Sequence, residues 1–184
     1  MQELSFQREW QQLGPVLWPF LLRCGIAALC GAMIGLEREL KQKPAGFRTN
    51  ILICVGSAMY MGIGVLLIGQ TSLSGVDPTR IAAQVVTGIG FLGAGCIIQQ
   101  GARITGLTSA ATIWVVAAIG LIAGVGFPLL ALISALMVLG TLAVLGPIEE
   151  RFFHPSHSDD FHTAGESASI IAGPQAPTTS GDRR

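Results

Sequence analysis

Charge is what this sequence lacks. Only 12% of its 184 residues are Asp, Glu, Lys or Arg, about half the share of an ordinary soluble domain. The shortage is also uneven: between Ile51 and Leu145 the charged side chains are Asp77, Arg80 and Arg103 alone. A water-exposed surface cannot be built over so long a stretch with so few ions. Histidine is equally scarce. His154, His157 and His162 all lie close to the C-terminus, so no imidazole is available to the apolar part, and without a positioned base no nucleophilic-catalysis constellation is visible. Cys24, Cys30, Cys54 and Cys96 contain no C-x-x-C pair and all sit in apolar segments, which points away from a disulfide framework or a zinc site. Basic and acidic residues balance at eleven each, so nothing favours nucleic acid as a partner. The first residues carry acids and no basic region leading into a short apolar core, which argues against a cleaved signal peptide.

Apolar residues and glycine are abundant instead. The chain is 51% hydrophobic with 24 glycines and a mean hydropathy of +0.60. Crossing the hydrocarbon core takes about 20 mostly apolar residues, and candidate spans fall near residues 17–36, 50–69, 81–100, 107–126 and 128–147. The reading is therefore an all-α, polytopic membrane helix bundle of about five glycine-rich transmembrane helices in contact with the lipid bilayer. Gly126, Phe127 and Pro128 separate the last two spans, and Pro128 suits the first turn of a new helix, so a tight hairpin is expected there.

Lys and Arg in short loops set orientation. The segment after the first span carries Arg38, Lys41, Lys43 and Arg48, and Arg103 and Arg151 fall on the same side, with Arg8 and Arg80 opposite. This predicts an N-terminal extracytoplasmic segment over residues 1–16, a transmembrane domain over 17–150 and a cytoplasmic C-terminus. Residues 151–184 turn to His, Ser, Asp, Thr, Gly and Pro, too polar to bury a core, and read as a disordered tail. Its histidines with Asp159 and Asp160 could hold a metal weakly, but nothing spaces them as ligands, and no site is assigned there.

Small residues recur at helical spacing: Ala27, Gly31 and Gly35 in the first span, Gly120 and Gly124 in the fourth. Such faces let helix backbones approach where the hydrophobic effect gives no drive. In the third span Arg80, Gln84, Thr87, Gly88, Phe91, Gly95 and Gln99 share one sector at about 3.6 residues per turn. Polar groups facing lipid are costly, so this seam is expected to face the bundle interior or a partner subunit. Interhelical hydrogen bonding by Gln84 and Thr87 and an ion path are both open.

Asp77-Pro78-Thr79-Arg80 has an N-cap acid followed by proline at the first helical position. Arg80, one turn later, could snorkel, pair with Asp77 or neutralise an acid of another helix. For Arg23, early in the first span, snorkelling is expected. Glu37 and Glu39 could offer oxygens to Mg²⁺, which needs only one or two carboxylates beside its waters. Four nearby cations favour structural ion pairing instead, with Arg38 and Arg48 holding the loop against headgroups or neighbouring helices. The fourth span opens with hydroxyls, among which Ser109 and Thr112 share a face and can bond backward to carbonyls or across to span three.

The blocks GAMIGLEREL (31–40), PAGFRTNILICVGSAMYM (44–61), DPTRIAAQVVTGIGFLGAGCII (77–98) and GLTSAATIWVVAAIGLIAGVG (106–126) closely resemble the MgtC/SapB family of bacterial inner-membrane proteins. The resemblance covers most of residues 25–126 in order. Matching positions include Glu37, Arg38, Gly46, Arg48, Thr49, Arg80, Gln84, Gly88, Gly90, Gly93, Gly95, Thr112 and Trp114. The resemblance implies an inner-membrane protein of about five spans, linked to growth under magnesium limitation and to virulence. Family members were named as magnesium transporters, while the best-known one looks like a regulator restraining the F-type ATP synthase. Larger members carry a folded C-terminal domain where this sequence shows a polar tail.

The expectation is thus a non-enzymatic regulator without a cofactor, forming a homo-oligomer or binding a membrane protein such as the ATP synthase through the span-three seam and the Glu37–Arg48 loop. A Mg²⁺ transporter or channel is the alternative. The candidate functional residues are Glu37, Arg38, Glu39, Arg48, Asp77, Arg80, Gln84, Gly88, Gly95 and Thr112.

Overall fold

A computed structural model describes residues 2–70, 77–100 and 103–153, with side chains over 13–68, 77–99 and 104–145. The tail histidines lie outside the described residues. Five helices follow in order: α1 (Gln2–Leu40), α2 (Phe47–Gln70), α3 (Pro78–Gly95), α4 (Leu107–Val125) and α5 (Pro128–Phe153). Between α3 and α4 a small antiparallel hairpin pairs β1 (Ile98–Gln100) with β2 (Arg103–Thr105), Gln99 opposite Ile104. Residues up to Val144 form one compact unit, and Leu145 to Arg184 form another, of which only the final turns of α5 are described.

Four helical segments among the described residues are long and apolar enough to cross a membrane: Leu13–Leu40, Phe47–Ile68, Leu107–Val125 and Pro128–Leu145. The expected third span over 81–100 is the exception. Arg80, Gln84, Thr87 and four glycines dilute α3, and the helix stops at Gly95. Beyond Gly95 the chain turns into the hairpin, which takes Gln99 out of the helical seam. In α1 the helix runs unbroken through residue 16 despite Pro15 and Pro19.

The helix ends have local causes. Asp77 has extended backbone and accepts from the Thr79 amide at 2.9 Å, with Pro78 at the first helical position, as the sequence predicts. At the end of α1, the amide of Gln42 donates to Glu39 O (3.0 Å) and that of Lys43 to Arg38 O (3.0 Å), a Schellman closure with Gln42 in the left-handed region at φ 51°. Pro44 follows and prevents continuation. Helix α4 ends similarly: Gly126 takes φ 112°, and Phe127 N reaches Ile122 O at 3.3 Å. Pro128 then starts α5, giving the expected hairpin. Gly106 precedes α4 at φ 89°, with the Cys96 carbonyl where a Cβ would stand, so the β-hairpin returns tightly against the end of α3.

Helix α2 is clasped between α1 and α4 through the predicted small faces. A Cβ on Gly31 would lie 2.7 Å from the Asn50 carbonyl oxygen, and one on Gly35 would lie 2.9 Å from Phe47 Cα. On the other side, a Cβ on Gly124 would lie 2.5 Å from Ala58 O, while Gly120 abuts Cys54 O. Helix α4 is the central element: Ser109, Thr112, Ile113, Val116, Ala117, Ile119, Gly120, Ala123 and Gly124 are all buried. Helix α3 turns Ile89 and Gly93 inward, and α5 buries Ala131 and Ala135 while leaving Leu129, Leu136 and Met137 exposed, as a lipid-facing helix does.

Candidate functional site

The C-terminal end of α1, the N-terminal ends of α2 and α4 and the turn of α5 at Leu142 meet at one end of the bundle. There Arg38 is 3% exposed, and its Nη2 donates to Ser109 Oγ at 2.7 Å. The Nε of Arg38 has no hydrogen-bond partner. One residue earlier, Glu37 pairs through Oε1 with Lys41 Nζ at 2.8 Å, and Lys41 also donates to the Leu142 carbonyl of α5 at 3.1 Å. Glu37 Oε2 is buried without a hydrogen-bond partner.

Glu39 points to the other side of α1. Its Oε2 accepts from Phe47 N at 2.9 Å, so a carboxylate from α1 caps α2, whose own Gly46 has no side chain for the purpose. A negative charge at a helix N-terminus is favourable. Asn50 is fully buried and donates to Ala45 O (2.6 Å) and Gly46 O (2.8 Å), leaving its Oδ1 unpartnered. Asn50 thereby ties down the α1–α2 corner, where Ala45 has φ 59°. The sequence reading missed Asn50. Its signal was a lone amide in the first turn of an otherwise apolar helix, a position where a polar side chain needs a structural reason.

Arg48 is exposed beside a depression of about 510 Å³ lined by Leu36, Glu39, Gly46, Phe47, Arg48 and Thr49. Thr112 is buried but bonds backward to Thr108 O at 2.7 Å, whereas Ser109 reaches α1 rather than span three. The two carboxylates first considered for Mg²⁺ diverge into separate structural bonds, and among the described residues no group of three or more His, Cys, Asp or Glu could hold a metal ion.

The α3 residues form a second region. Arg80, Gln84 and Gly88 line a groove of about 650 Å³ against α2, whose Tyr60, Ser57 and Leu52 form the other wall. The expected interior seam therefore divides. Ile89 and Gly93 hold the interior face, Arg80, Gln84 and Gly88 open to the groove, and Phe91 (83% exposed) and Gly95 face outward. The reason is rotational: the flat Gly93 packs beside Ala110 of α4, and that contact turns the polar sector sideways. Asp77 is occupied by Thr79, through its amide and its hydroxyl at 2.7 Å, and these bonds hold its carboxyl below the usual range, the nearby Arg80 charge adding a smaller effect. At the same end of the bundle, Arg23 donates from Nη1 to Gly124 O at 3.1 Å. Snorkelling is the expectation for this side chain, and the carbonyl it meets lies at the end of α4, where a cation complements exposed C-terminal carbonyls.

The model of the MgtC family matches residues 24–151, which takes in the second part of α1, all of α2, α3 and α4, and α5 up to Arg151. The chain belongs to the MgtC family. "Putative magnesium transporter YhiD" of Escherichia coli (strain K12) is 42% identical over 141 residues, covering 75% of this chain and 66% of that protein. "Protein MgtC" of Brucella abortus (strain 2308) is 42% identical over 154 residues, covering 79% and 63%. "Protein MgtC" of Salmonella typhimurium is 41% identical over 136 residues, covering 74% and 56%. This chain therefore spans less than two thirds of the length of these MgtC-family relatives. No solved structure matches.

Proposed function

We propose that this MgtC-family chain is a non-enzymatic regulator in the bacterial inner membrane that serves adaptation to magnesium limitation by binding another membrane protein, such as the F-type ATP synthase. The observation that carries this reading is the engagement of both loop carboxylates. Glu37 is paired with Lys41 and Glu39 caps α2, so among the exposed charged side chains of the basic end, Glu39, Lys41, Lys43 and Arg48, the cations Lys43 and Arg48 have no ion-pair partner among the described residues. Beside Arg48 lies the 510 Å³ depression, a concave corner in which the Glu39 carboxylate is engaged by the start of α2 and Arg48 is the cation that an acidic protrusion of a partner would meet. In this proposal the basic end is cytoplasmic and the N-terminus lies outside, in keeping with the Lys/Arg bias of the loops. The protein self-associates through its exposed apolar helix faces.

A Mg²⁺ transporter is the second reading, favoured by the name of the Escherichia coli relative. A transport path needs ionisable or carbonyl groups near the midplane. Of the buried polar residues among those described, Arg38, Asn50, Ser109 and Thr112 gather in the turns nearest the basic end, and only the hydroxyl of Ser57 lies midway along α2. Two measurements separate the readings. Affinity purification with crosslinking from magnesium-starved cells is expected to recover a membrane protein partner, and Arg48→Glu is expected to lose it. Saturable Mg²⁺ uptake by proteoliposomes holding only this protein would decide for the transporter.

A further inference from the structure

The groove between α2 and α3 changes character along its length. At the α3 N-terminus stands Arg80, exposed and with no ion-pair partner among the described residues; the nearest acid in sequence, Asp77, is held by Thr79. One helical turn further in, about 5.4 Å, is Gln84, exposed, whose amide has no hydrogen-bond partner among the described residues. Further still the α3 wall is Gly88 and then Leu92. The helices run antiparallel here, with Gly64 of α2 beside Ile81 of α3, so Tyr60 stands near the charged end and Gly56 lies deeper. Both glycines leave space: nothing lies within 4 Å of a Cβ placed on Gly56 or Gly88.

The distance from Arg80 to Leu92 along α3 is about 18 Å at 1.5 Å per residue. One leaflet of the hydrocarbon core is about 15 Å deep. A cation at the mouth, an amide one turn down and an apolar channel below reproduce the order of a phospholipid: phosphate, ester carbonyls, acyl chain. A transmembrane helix seated in the same groove would need an acid placed at the level of Arg80, whereas an anionic phospholipid carries its phosphate at that level by construction. The geometry points to this groove as a binding site for one anionic phospholipid, its phosphate on Arg80, its ester oxygens accepting from the Gln84 amide and one acyl chain lying over Gly88 against Gly56. Bound this way the lipid fills the space between α2 and α3 and fixes the position of the least apolar helix of the bundle. Ser57, deeper in the wall, is buried, with its Cβ beside Gly120 of α4.

The test uses the full chain, purified and reconstituted into nanodiscs of equal phosphatidylglycerol and phosphatidylcholine, then released for native mass spectrometry. Wild-type protein is expected to retain one phosphatidylglycerol in preference to phosphatidylcholine. Arg80→Gln is expected to lower that preference about fivefold, the effect of a single cation near an anionic lipid. Gly88→Leu fills the channel and is expected to remove retention of both lipids while leaving the helical circular-dichroism signal unchanged. Arg80→Gln lies at the exposed mouth, so it decides the question even if Gly88→Leu fails to fold. Equal retention of the two lipids by wild type, or an unchanged preference in Arg80→Gln, overturns the proposal. So does efficient disulfide crosslinking of Gly88→Cys to a second copy in the same nanodiscs, which would make the groove a helix–helix interface. No partner protein is present in the measurement, so its outcome is independent of the regulatory reading.

Discussion

Arg38 and Ser109, 71 positions apart in the chain, meet at 2.7 Å and join the end of α1 to the start of α4. The guanidinium is almost wholly buried, so removing either partner strands the other. Arg38→Ala is expected to destabilise more than Ser109→Ala, because the first deletes an extensive packed side chain as well as the bond. A double-mutant cycle is expected to give a coupling of about 1–2 kcal/mol, the upper range for interhelical polar bonds in membranes. Unfolding of the detergent-solubilised protein measures it, and a coupling near zero would mean that Arg38 is held by other groups.

The glycines divide into two classes by what surrounds them. Gly31→Ala and Gly124→Ala place a methyl against backbone of α2 and are expected to cost about 1–3 kcal/mol by overpacking. Gly90→Ala meets nothing within 4 Å and is expected to stabilise by up to about 1 kcal/mol through helix propensity. Thermal melts of the three variants in one detergent compare them directly, and the opposite ranking would contradict the close approach of α1 and α4 to α2.

Gln42 holds a left-handed backbone, φ 51°, at the position of the α1 closure where glycine is usual. Gln42→Gly is expected to raise stability by roughly 0.5–1 kcal/mol, the relief of the Cβ clash exceeding the added freedom of the unfolded chain. A lower melting point for this variant would show that the Gln42 side chain contributes a contact larger than the strain.

The start of α3 is expected to depend on pH. The carboxyl of Asp77 is held below its usual range by the hydroxyl and then the amide of Thr79, with Arg80 adding a smaller effect. Because the folded value is the lower one, the N-cap is fully formed above the ordinary carboxylate value, about 3.9, and is lost as pH falls through the lowered folded value. The Thr79 amide resonance in micelles is expected to titrate with a midpoint below that of an unstructured Asp. Asp77→Asn is expected to abolish the titration and keep an acceptor for the cap.

Much of the architecture was legible because membranes impose few solutions. Long apolar runs must become helices, since no water is present to satisfy the backbone. Pro78 and Pro128 mark helix starts through their own covalent geometry, and Gly31, Gly35, Gly120 and Gly124 mark close packing because small side chains have little other use in an apolar helix. The β-hairpin at Ile98–Thr105 was not legible. Its strands are three residues each, too short for an alternating pattern to stand out from an apolar helix end.

The candidate site was harder to read. Which carboxylate caps a distant helix depends on the path of the corner between them, and periodicity holds no information about that path. Thus Glu39, expected to join an ion pair in its loop, is the cap of α2, while Asn50 drew no attention and anchors the corner. Nor does the sequence show that Arg23 meets the end of α4, 101 residues away.

By itself, the sequence determined that the chain lies in a bilayer, that it is helical, where most helices start, and which faces are smooth enough to pack. These properties follow from side-chain solubility and local backbone preference, which every residue carries with it. Only the tertiary structure decided that α4 is central, that Arg38 reaches Ser109, and that the polar sector of α3 opens onto a groove beside α2. Those depend on the rotation of each helix about its axis, which is set by the packing of glycine against backbone between elements and cannot be stored in any one of them.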